Sequence, residues 1–482
     1  MGCGASTAAP PTGDKTPPAP PPGDKPTPTN NGEDAAASRA KKDAAAKAAA
    51  SEPASSADDE TENDHKPIMK KLTTSNMAFQ IMNAKATAPE EGMCWPFALV
   101  ADQDESSKTD AGWQSHLGYG KLVYHGAKGA ASYSFELKGE APLMTTKGDK
   151  AGRGAEYSAL EVFDGRLLTF DDRTGAMDEL LPSEGFSFDV RPLVDASGAP
   201  IVILLGDGKK EKPLKCEWSS QKDGKLYVGS TGKERTDDDG NVVHEGEMWI
   251  KVISAGSHEV EHRDWRPMYN GLRDASECKQ GAGYMIHESA RWSDVHERWF
   301  FLPRKASRRP YDEIKDTTKC VNLLMAAPDG LGEQQGDKVN MLTYLSKSAL
   351  RGCSDFLFVP GSNDCHLFVI RTEESLDGVV TTYAAVIDLL GNELMAEQTL
   401  AAERKFEGVA WVGGFGPFPH PGPTDTTLFG GPAAEPAAEP AAEPAAEPAA
   451  EPTAEPAAEP AAEYAAEPAA APAAEPAAEP EA

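Results

Sequence analysis

Four segments of this chain repeat one pattern, and a fifth begins it again. Each places a Glu or Ser at the start of a short apolar strand, turns tightly and returns as a second apolar strand. The segments are Glu156-Tyr-Ser-Ala-Leu-Glu-Val-Phe163, Glu217-Trp-Ser-Ser220 before the Lys222 hairpin, Glu288-Ser-Ala-Arg-Trp-Ser293 before Trp299-Phe-Phe-Leu302, and Ser354-Asp-Phe-Leu-Phe-Val359 before Leu367-Phe-Val-Ile370. The fifth start is Phe406-Glu-Gly-Val-Ala-Trp411, and successive key polar residues lie 53 to 71 positions apart. A strand-built repeat of that size matches a propeller blade of four strands. The fifth start sits at the end of the folded region, where a C-terminal strand can complete a blade begun by Pro96-Phe-Ala-Leu-Val-Ala101 and so hide the sheet edges. The pattern predicts an all-β chain folded as a five-bladed β-propeller.

Local signals agree. Leu160-Glu-Val-Phe-Asp-Gly-Arg-Leu-Leu-Thr-Phe170 and Lys222-Asp-Gly-Lys-Leu-Tyr-Val-Gly229 read as hairpins closed by Asp-Gly turns. Helical periodicity is scarce, with candidates only near Asn340–Ser348 and Leu394–Arg404. The propeller is expected over residues 78–416. Residues 1–77 are rich in Pro, Ala, Lys and Asp and nearly lack large apolar side chains, so they are expected to be disordered. Residues 417–482 are a linker and a tail of Ala-Ala-Glu-Pro repeats. Twelve Glu and no Lys or Arg lie between Pro432 and Ala482, and Pro at every fourth position favours an extended spacer over a helix.

The tail supplies twelve of the chain's net 30 negative charges. That balance excludes a nucleic-acid binder, which needs a basic surface to neutralise phosphates. Apolar runs such as Ile201-Val-Ile-Leu-Leu205 fall far short of the ~20 residues that span a bilayer. The first residues, Met-Gly-Cys-Gly-Ala-Ser, match an N-myristoylation start at Gly2, with Cys3 beside it for a second acyl chain. On that basis the chain is expected at a membrane surface on the cytoplasmic side, anchored through Gly2 and Cys3. The remaining cysteines, Cys94, Cys216, Cys278, Cys320, Cys353 and Cys365, are scattered with no Cys-x-x-Cys and read as buried thiols. His258-Glu-Val-Glu-His262 matches a zinc-protease pattern, which works only on a helix that its flanks do not favour.

In a propeller the first strand of each blade lines the central channel. One oxygen-bearing residue per inner strand then puts Ser158, Glu217, Glu288, Ser354 and Glu407 around one axis. Oxygen donors without His or Cys suit a hard cation, calcium before magnesium. A second set surrounds this ring. Asp102 and Asp104 follow the Phe97–Ala101 strand, and Gly152-Arg-Gly-Ala-Glu156 carries Arg153 and Glu156. Asp171-Asp-Arg-Thr-Gly175 and Pro303-Arg-Lys305, with Arg304 and Lys305, follow second strands. Cations beside a metal–carboxylate centre suit a bridging anionic substrate, phosphate first.

With these stretches assembled, the chain resembles the calcium-activated nucleotidase (apyrase) family. The resemblance rests on Phe97-Ala-Leu-Val-Ala-Asp-Gln-Asp104, Gly152-Arg-Gly-Ala-Glu-Tyr-Ser158, Phe170-Asp-Asp-Arg-Thr-Gly175, Lys215-Cys-Glu-Trp218, Leu226-Tyr-Val-Gly229 with Gly232-Lys-Glu234, and Ile286-His-Glu-Ser-Ala-Arg-Trp-Ser-Asp294. The most specific stretch is Arg298-Trp-Phe-Phe-Leu-Pro-Arg-Lys-Ala-Ser307, followed late by Phe406-Glu-Gly408, and coverage runs from about Phe97 to Trp411. The resemblance implies calcium ligands at Ser158, Glu217, Glu288, Ser354 and Glu407, and active-site roles for Asp104, Trp113, Arg153 and Arg304. Lys305 stands where relatives often have a second Arg, which weakens bidentate phosphate contact there. It further implies calcium-dependent hydrolysis of nucleoside di- and triphosphates, with UDP, GDP, UTP and GTP favoured. Asp102 or Asp104 would orient the attacking water, Arg153 and Arg304 would neutralise the transferring phosphoryl group, and Trp113 would stack on the base. The alternatives are a non-catalytic, lipid-anchored propeller scaffold and a calcium-dependent hydrolase of another phosphoester. Relatives are endomembrane or secreted, which offers a different compartment. Oligomeric state is not legible.

Overall fold

Phe97 and Leu99 turn to one side of their strand, Ala98 and Val100 to the other, and both sides are fully buried. Such a strand reads as a continuous apolar run, because a neighbouring sheet covers each face. The same holds around the molecule. In the computed structural model, which describes residues 77–418 and 420 apart from 238–239, 313–314, 333–337, 346–347 and 375–378, five large antiparallel sheets succeed one another along the chain, four of them four-stranded and the first five-stranded through the short addition Lys108–Thr109.

Blade 1 contains Phe406–Trp411, Cys94–Ala101, Gly112–Tyr124 and Tyr133–Thr145, from the inside outward. Blade 2 is Tyr157–Phe163, Arg166–Asp171, Met177–Ser183 and Ser187–Pro192; blade 3 is Trp218–Lys222, Lys225–Gly229, Trp249–Ser254 and Val260–Asp264. Blade 4 is Ala290–Ser293, Arg298–Phe301, Leu323–Pro328 and Asn340–Thr343; blade 5 is Arg351–Phe358, His366–Glu374, Val380–Asp388 and Glu393–Ala402. The inner strands contact one another in the closed order 1, 2, 3, 4, 5 and back to 1. The expected closure holds: Phe406–Trp411 pairs antiparallel with Cys94–Ala101, so Phe97 faces Trp411 across a blade built from both ends of the domain.

Five apolar clusters fill the five interfaces between blades. Trp218, Ile250 and Val252 of blade 3 meet Trp299, Phe301 and Met325 of blade 4, for example, and Leu160 and Leu167 of blade 2 meet Val100 and Leu117 of blade 1. At about 25 cal/mol per Å² of apolar surface buried, these interfaces dominate the stability. The Asp-Gly hairpins form as the sequence suggests: Asp164–Gly165 and Asp223–Gly224 all have positive φ, the requirement of a type I′ turn. Gly408 has a different reason. A Cβ there would sit 2.6 Å from backbone atoms of Ala159 and Leu160, so only Gly lets the inner strands of blades 1 and 2 approach so closely.

Both helix candidates are strands, Asn340–Thr343 and Glu393–Ala402, where pairing with neighbouring strands overrides a weak local preference. The longest described helix is Arg266–Ser276, whose Met268, Tyr269 and Leu272 pack into the cluster between blades 3 and 4. A short helix over 77–83 buries Phe79 and Met82 against blades 4 and 5. Phe418 lies against Phe188 and Phe186 of blade 2 and its hairpin, so packed chain continues two residues past position 416. Cys353 and Cys365 are separate buried thiols. His262 lies on the strand Val260–Asp264 rather than on a helix, and His258 and His262 face different backbone carbonyls, Val194 O and Gly206 O, which removes the zinc pattern.

One residue ties the blades together across the channel. Arg291 of blade 4 donates to Glu161 of blade 2 (2.5 Å), to Asp355 (2.8 Å) and Phe356 O (3.0 Å) of blade 5, and to Val409 O of blade 1 (3.1 Å). Gln221 of blade 3 joins through Glu161 (3.0 Å). Each of these residues follows a candidate metal ligand by one to four positions on its inner strand. The hub therefore forms the next layer of the channel.

Candidate active site and metal centre

In blades 2, 5 and 1 the pairing of the inner strand slips by one residue, and each slip falls on a candidate ligand. Tyr157 pairs with Asp171 and Ala159 with Phe170, leaving Ser158 over; Cys353 pairs with Arg371 and Asp355 with Ile370, leaving Ser354 over; Phe406 pairs with Ala101 and Gly408 with Val100, leaving Glu407 over. A bulge takes one side chain out of the alternation and re-aims it. In blades 3 and 4, Glu217 and Glu288 precede the first paired residues, Trp218 and Ala290, and are likewise outside the ladder.

Arg304 gathers three members of this ring. Its Nη1 donates to Glu288, to Ser354 Oγ (3.2 Å) and to Glu407 Oε1 (3.5 Å), while Nη2 donates to Glu374 (2.8 Å). Glu217 is held by Lys215 and lies close enough to Glu288 and Glu407 for their charges to bear on it. Ser158 Oγ is buried with no hydrogen-bond partner.

A second carboxylate group adjoins the first. Asp102, Glu156 and Asp172 each offer an oxygen within 4.8 Å of the others, and all three are buried. Arg153 donates from Nε (2.7 Å) and Nη2 (2.5 Å) to Glu156 and from Nη2 to Asp104 (3.1 Å), and Asp104 N–H donates to Asp102 (2.7 Å). Lys405 Nζ reaches Asp102 (2.9 Å), Glu407 (3.0 Å), Glu374 (3.4 Å) and Asp104 (3.6 Å). Lys215 Nζ joins Asp172 (2.7 Å) to Glu217. Asp171, by contrast, accepts from the backbone N–H groups of Ala155, Arg173 and Thr174, the work of a turn. Trp113 donates its indole N–H to Gly152 O (3.1 Å) and packs over Gly148, so it props the loop that carries Arg153. Lys305 follows Arg304, and its charge helps hold Glu374 down.

Electrostatics follow from this crowding. Burial, reinforced by Asp102 and Asp172, raises Glu156 to about 8 despite Arg153. Burial raises Glu407 to about 8 and Asp102 to about 6 despite Lys405. Glu217 is pushed well above the carboxylate range, mainly by burial and then by its acidic neighbours. Asp104, at the exposed edge, is instead held low by Lys405. Eight carboxylates (Asp102, Asp104, Glu156, Asp172, Glu217, Glu288, Glu374 and Glu407) meet five cationic side chains (Arg153, Lys215, Arg304, Lys305 and Lys405). The unpartnered Ser158 Oγ and Asp172 Oδ1, the oxygen-only donor set and the surplus of negative charge all fit a hard divalent cation.

Lys215, Lys405 and Glu374 were given no role from sequence. A signal for the lysines was available: Lys215-Cys-Glu217 and Lys405-Phe-Glu407 repeat Lys-x-Glu at two ring positions, and in extended chain residues two apart share a side. Glu374, at the far end of the second strand of blade 5, had none.

Comparisons with known proteins show which family this chain resembles. A family model described as Apyrase matches residues 101–412. A protein of Rattus norvegicus named soluble calcium-activated nucleotidase 1 is 37% identical over 325 residues, covering 67% of this chain and 74% of the rat protein. Apyrase apy-1 of Caenorhabditis elegans is 34% identical over 65% of this chain and 83% of its own length, and an apyrase of Cimex lectularius 35% identical over 65% and 81%. The expected cytoplasmic, acyl-anchored placement is overturned. The rat and mouse relatives are named soluble. Gly2 and Cys3 lie outside the described residues, as does nearly all of the expected disordered segment and tail. On the family match and the identity across two thirds of its length, this chain belongs to the apyrase family.

Proposed function

We propose that this apyrase-family enzyme hydrolyses the terminal phosphoanhydride bond of nucleoside di- and triphosphates, uridine and guanine nucleotides among them, with calcium held by Ser158, Glu217, Glu288, Ser354 and Glu407. The carrying observation is the surplus of buried carboxylates gathered by Arg304, Lys215 and Lys405, together with a buried, unpartnered Ser158 Oγ. Unbalanced buried charge is costly, and a divalent cation offsets it. The names of the rat and mouse relatives, calcium-activated nucleotidases, support the choice of ion.

When bound, the ion supplies Lewis-acid polarisation of a phosphoryl oxygen. The chain's own residues do the rest. Water oxygen attacks the terminal phosphorus, the bond to the bridging oxygen breaks, and phosphate leaves with a nucleotide one phosphate shorter. Arg153, fixed by Glu156 and partly open to solvent, and Arg304, fixed by Glu288 and Glu374, supply positive charge where the transferring oxygens gain negative charge. Asp104 is ionised and at the rim, and its backbone is pinned by Asp102; it orients the water and, as a weak base held low by Lys405, accepts its proton late, as the bond to phosphorus forms. Lys305 adds charge without a bidentate fork. Trp113 presents its ring at the same rim for the base. Phosphate release from UDP, GDP and ADP, with calcium or with chelator, tests the reading. Release from UDP that needs calcium supports it. Undiminished release in chelator refutes the metal, and no release from any nucleotide leaves a scaffold.

A further inference from the structure

The ring and the second carboxylate group are held apart by two ammonium ions. Lys215 Nζ stands between Asp172 and Glu217, and Lys405 Nζ between Asp102 and Glu407. A single cation in the ring would leave Asp102, Glu156 and Asp172 on the far side of both lysines. These three are 3%, 1% and 7% exposed, yet their oxygens converge within 4.8 Å. The cations near them do not suffice. Arg153 is shared with Asp104, Lys215 with Glu217, and Lys405 with Glu407, Asp104 and Glu374. Asp172 Oδ1, in a residue more than nine-tenths buried, has no hydrogen-bond partner. A buried carboxylate oxygen left bare beside two other carboxylates lacks a positive partner.

We propose that Asp102, Glu156 and Asp172 form a second divalent-cation site, distinct from the ring and on its solvent-facing side. The triad adjoins Arg153 and Asp104, whose side chains are 26% and 58% exposed, so phosphate entering from solvent meets it first. Its three oxygen donors select a hard cation, and calcium takes six to eight ligands, which leaves positions for phosphate oxygens and water. The inference rests on the proposed function and deepens it: Asp102, Glu156 and Asp172 would hold the cation beside Arg153, where it would supply further positive charge to the phosphate chain of the substrate.

Equilibrium dialysis of the full chain against radioactive calcium at physiological ionic strength tests this without reading activity. The compared chains are wild type, Asp172→Asn, Glu156→Gln, Glu217→Gln and the double variant Asp172→Asn/Glu217→Gln. The acidic tail is common to all, so its contribution cancels. Expected losses relative to wild type are one ion per chain for each single variant and two for the double. The second site is overturned if both triad variants bind the wild-type number, or if the double variant loses only the ion that each single variant loses. Should Glu217→Gln keep the wild-type number while the triad variants lose one ion, the ring reading fails and the triad stands. Thermal unfolding in chelator reports whether each variant is folded, and Glu156→Gln decides if Asp172→Asn is not.

Discussion

Arg291→Met removes the cation at the hub while keeping a long, unbranched side chain in its place. Four donor contacts are lost at once: two to the buried carboxylates Glu161 and Asp355, and two to the carbonyls of Phe356 and Val409. Glu161 keeps Gln221, and Asp355 keeps the N–H groups of Phe356 and Val409, so neither carboxylate is stripped bare. Breaking a buried ion pair from one side costs about 3–5 kcal/mol. The retained partners place this case near the lower end, about 3 kcal/mol, which is still a large share of a total of about 5–15. The assay is urea unfolding in chelator at neutral pH, with the slope m compared between variants so that a change in compactness is not mistaken for stability. The triple variant Arg291→Met/Glu161→Gln/Asp355→Asn removes the orphaned charges as well and should recover most of the loss, because the penalty comes from unpaired charge rather than lost packing. A loss below about 1 kcal/mol in the single variant, or no recovery in the triple, refutes the hub as an electrostatic tie.

Other outcomes follow from the same geometry. Without metal, stability should fall as pH rises from about 6.5 to 8. Glu156 and Glu407 (about 8) and Asp171 (about 7) titrate above their unfolded values, so the folded chain holds extra protons in that window and loses them at a cost. Between about pH 4 and 6.5 Asp102 and Asp355 (about 6) act in the same direction, but His287 (about 3), His116, His244, His262, His296 and His366, all lowered by burial, act the other way. Thermal midpoints across pH in chelator and in saturating calcium check this; the decline should flatten or reverse with calcium, which competes with those protons. Arg153→Lys should lower kcat about 100-fold or more while leaving the thermal midpoint nearly unchanged, since the partly exposed fork loses its bidentate hold on Glu156 and on phosphate. Gly408→Ala should cost about 1–3 kcal/mol in urea unfolding, because its Cβ meets backbone of the neighbouring inner strand rather than a side chain that can turn away.

Much of this protein is written locally. The five strand starts, the Asp-Gly hairpins and the closing strand are short-range patterns, and a strand buried on both faces shows itself as an unbroken apolar run whatever its neighbours are. The oxygen-bearing residues Ser158, Glu217, Glu288, Ser354 and Glu407 stood out because each recurs at the same place in its repeat. The two segments misread as helices, and the helix Arg266–Ser276 that went unread, show where local preference is weak and packing decides. Ring closure settled what no local pattern could. Lys405 reaches Asp102 across 303 positions of sequence, and Arg291 reaches Glu161 across 130 and Val409 across 118. One-residue slips in strand pairing lift Ser158, Ser354 and Glu407 out of the ladder. Composition and spacing therefore picked out the candidate oxygen residues, whereas the grouping of Asp102 with Glu156 and Asp172, and the lysines between that group and the ring, exist only because five sheets meet at one axis.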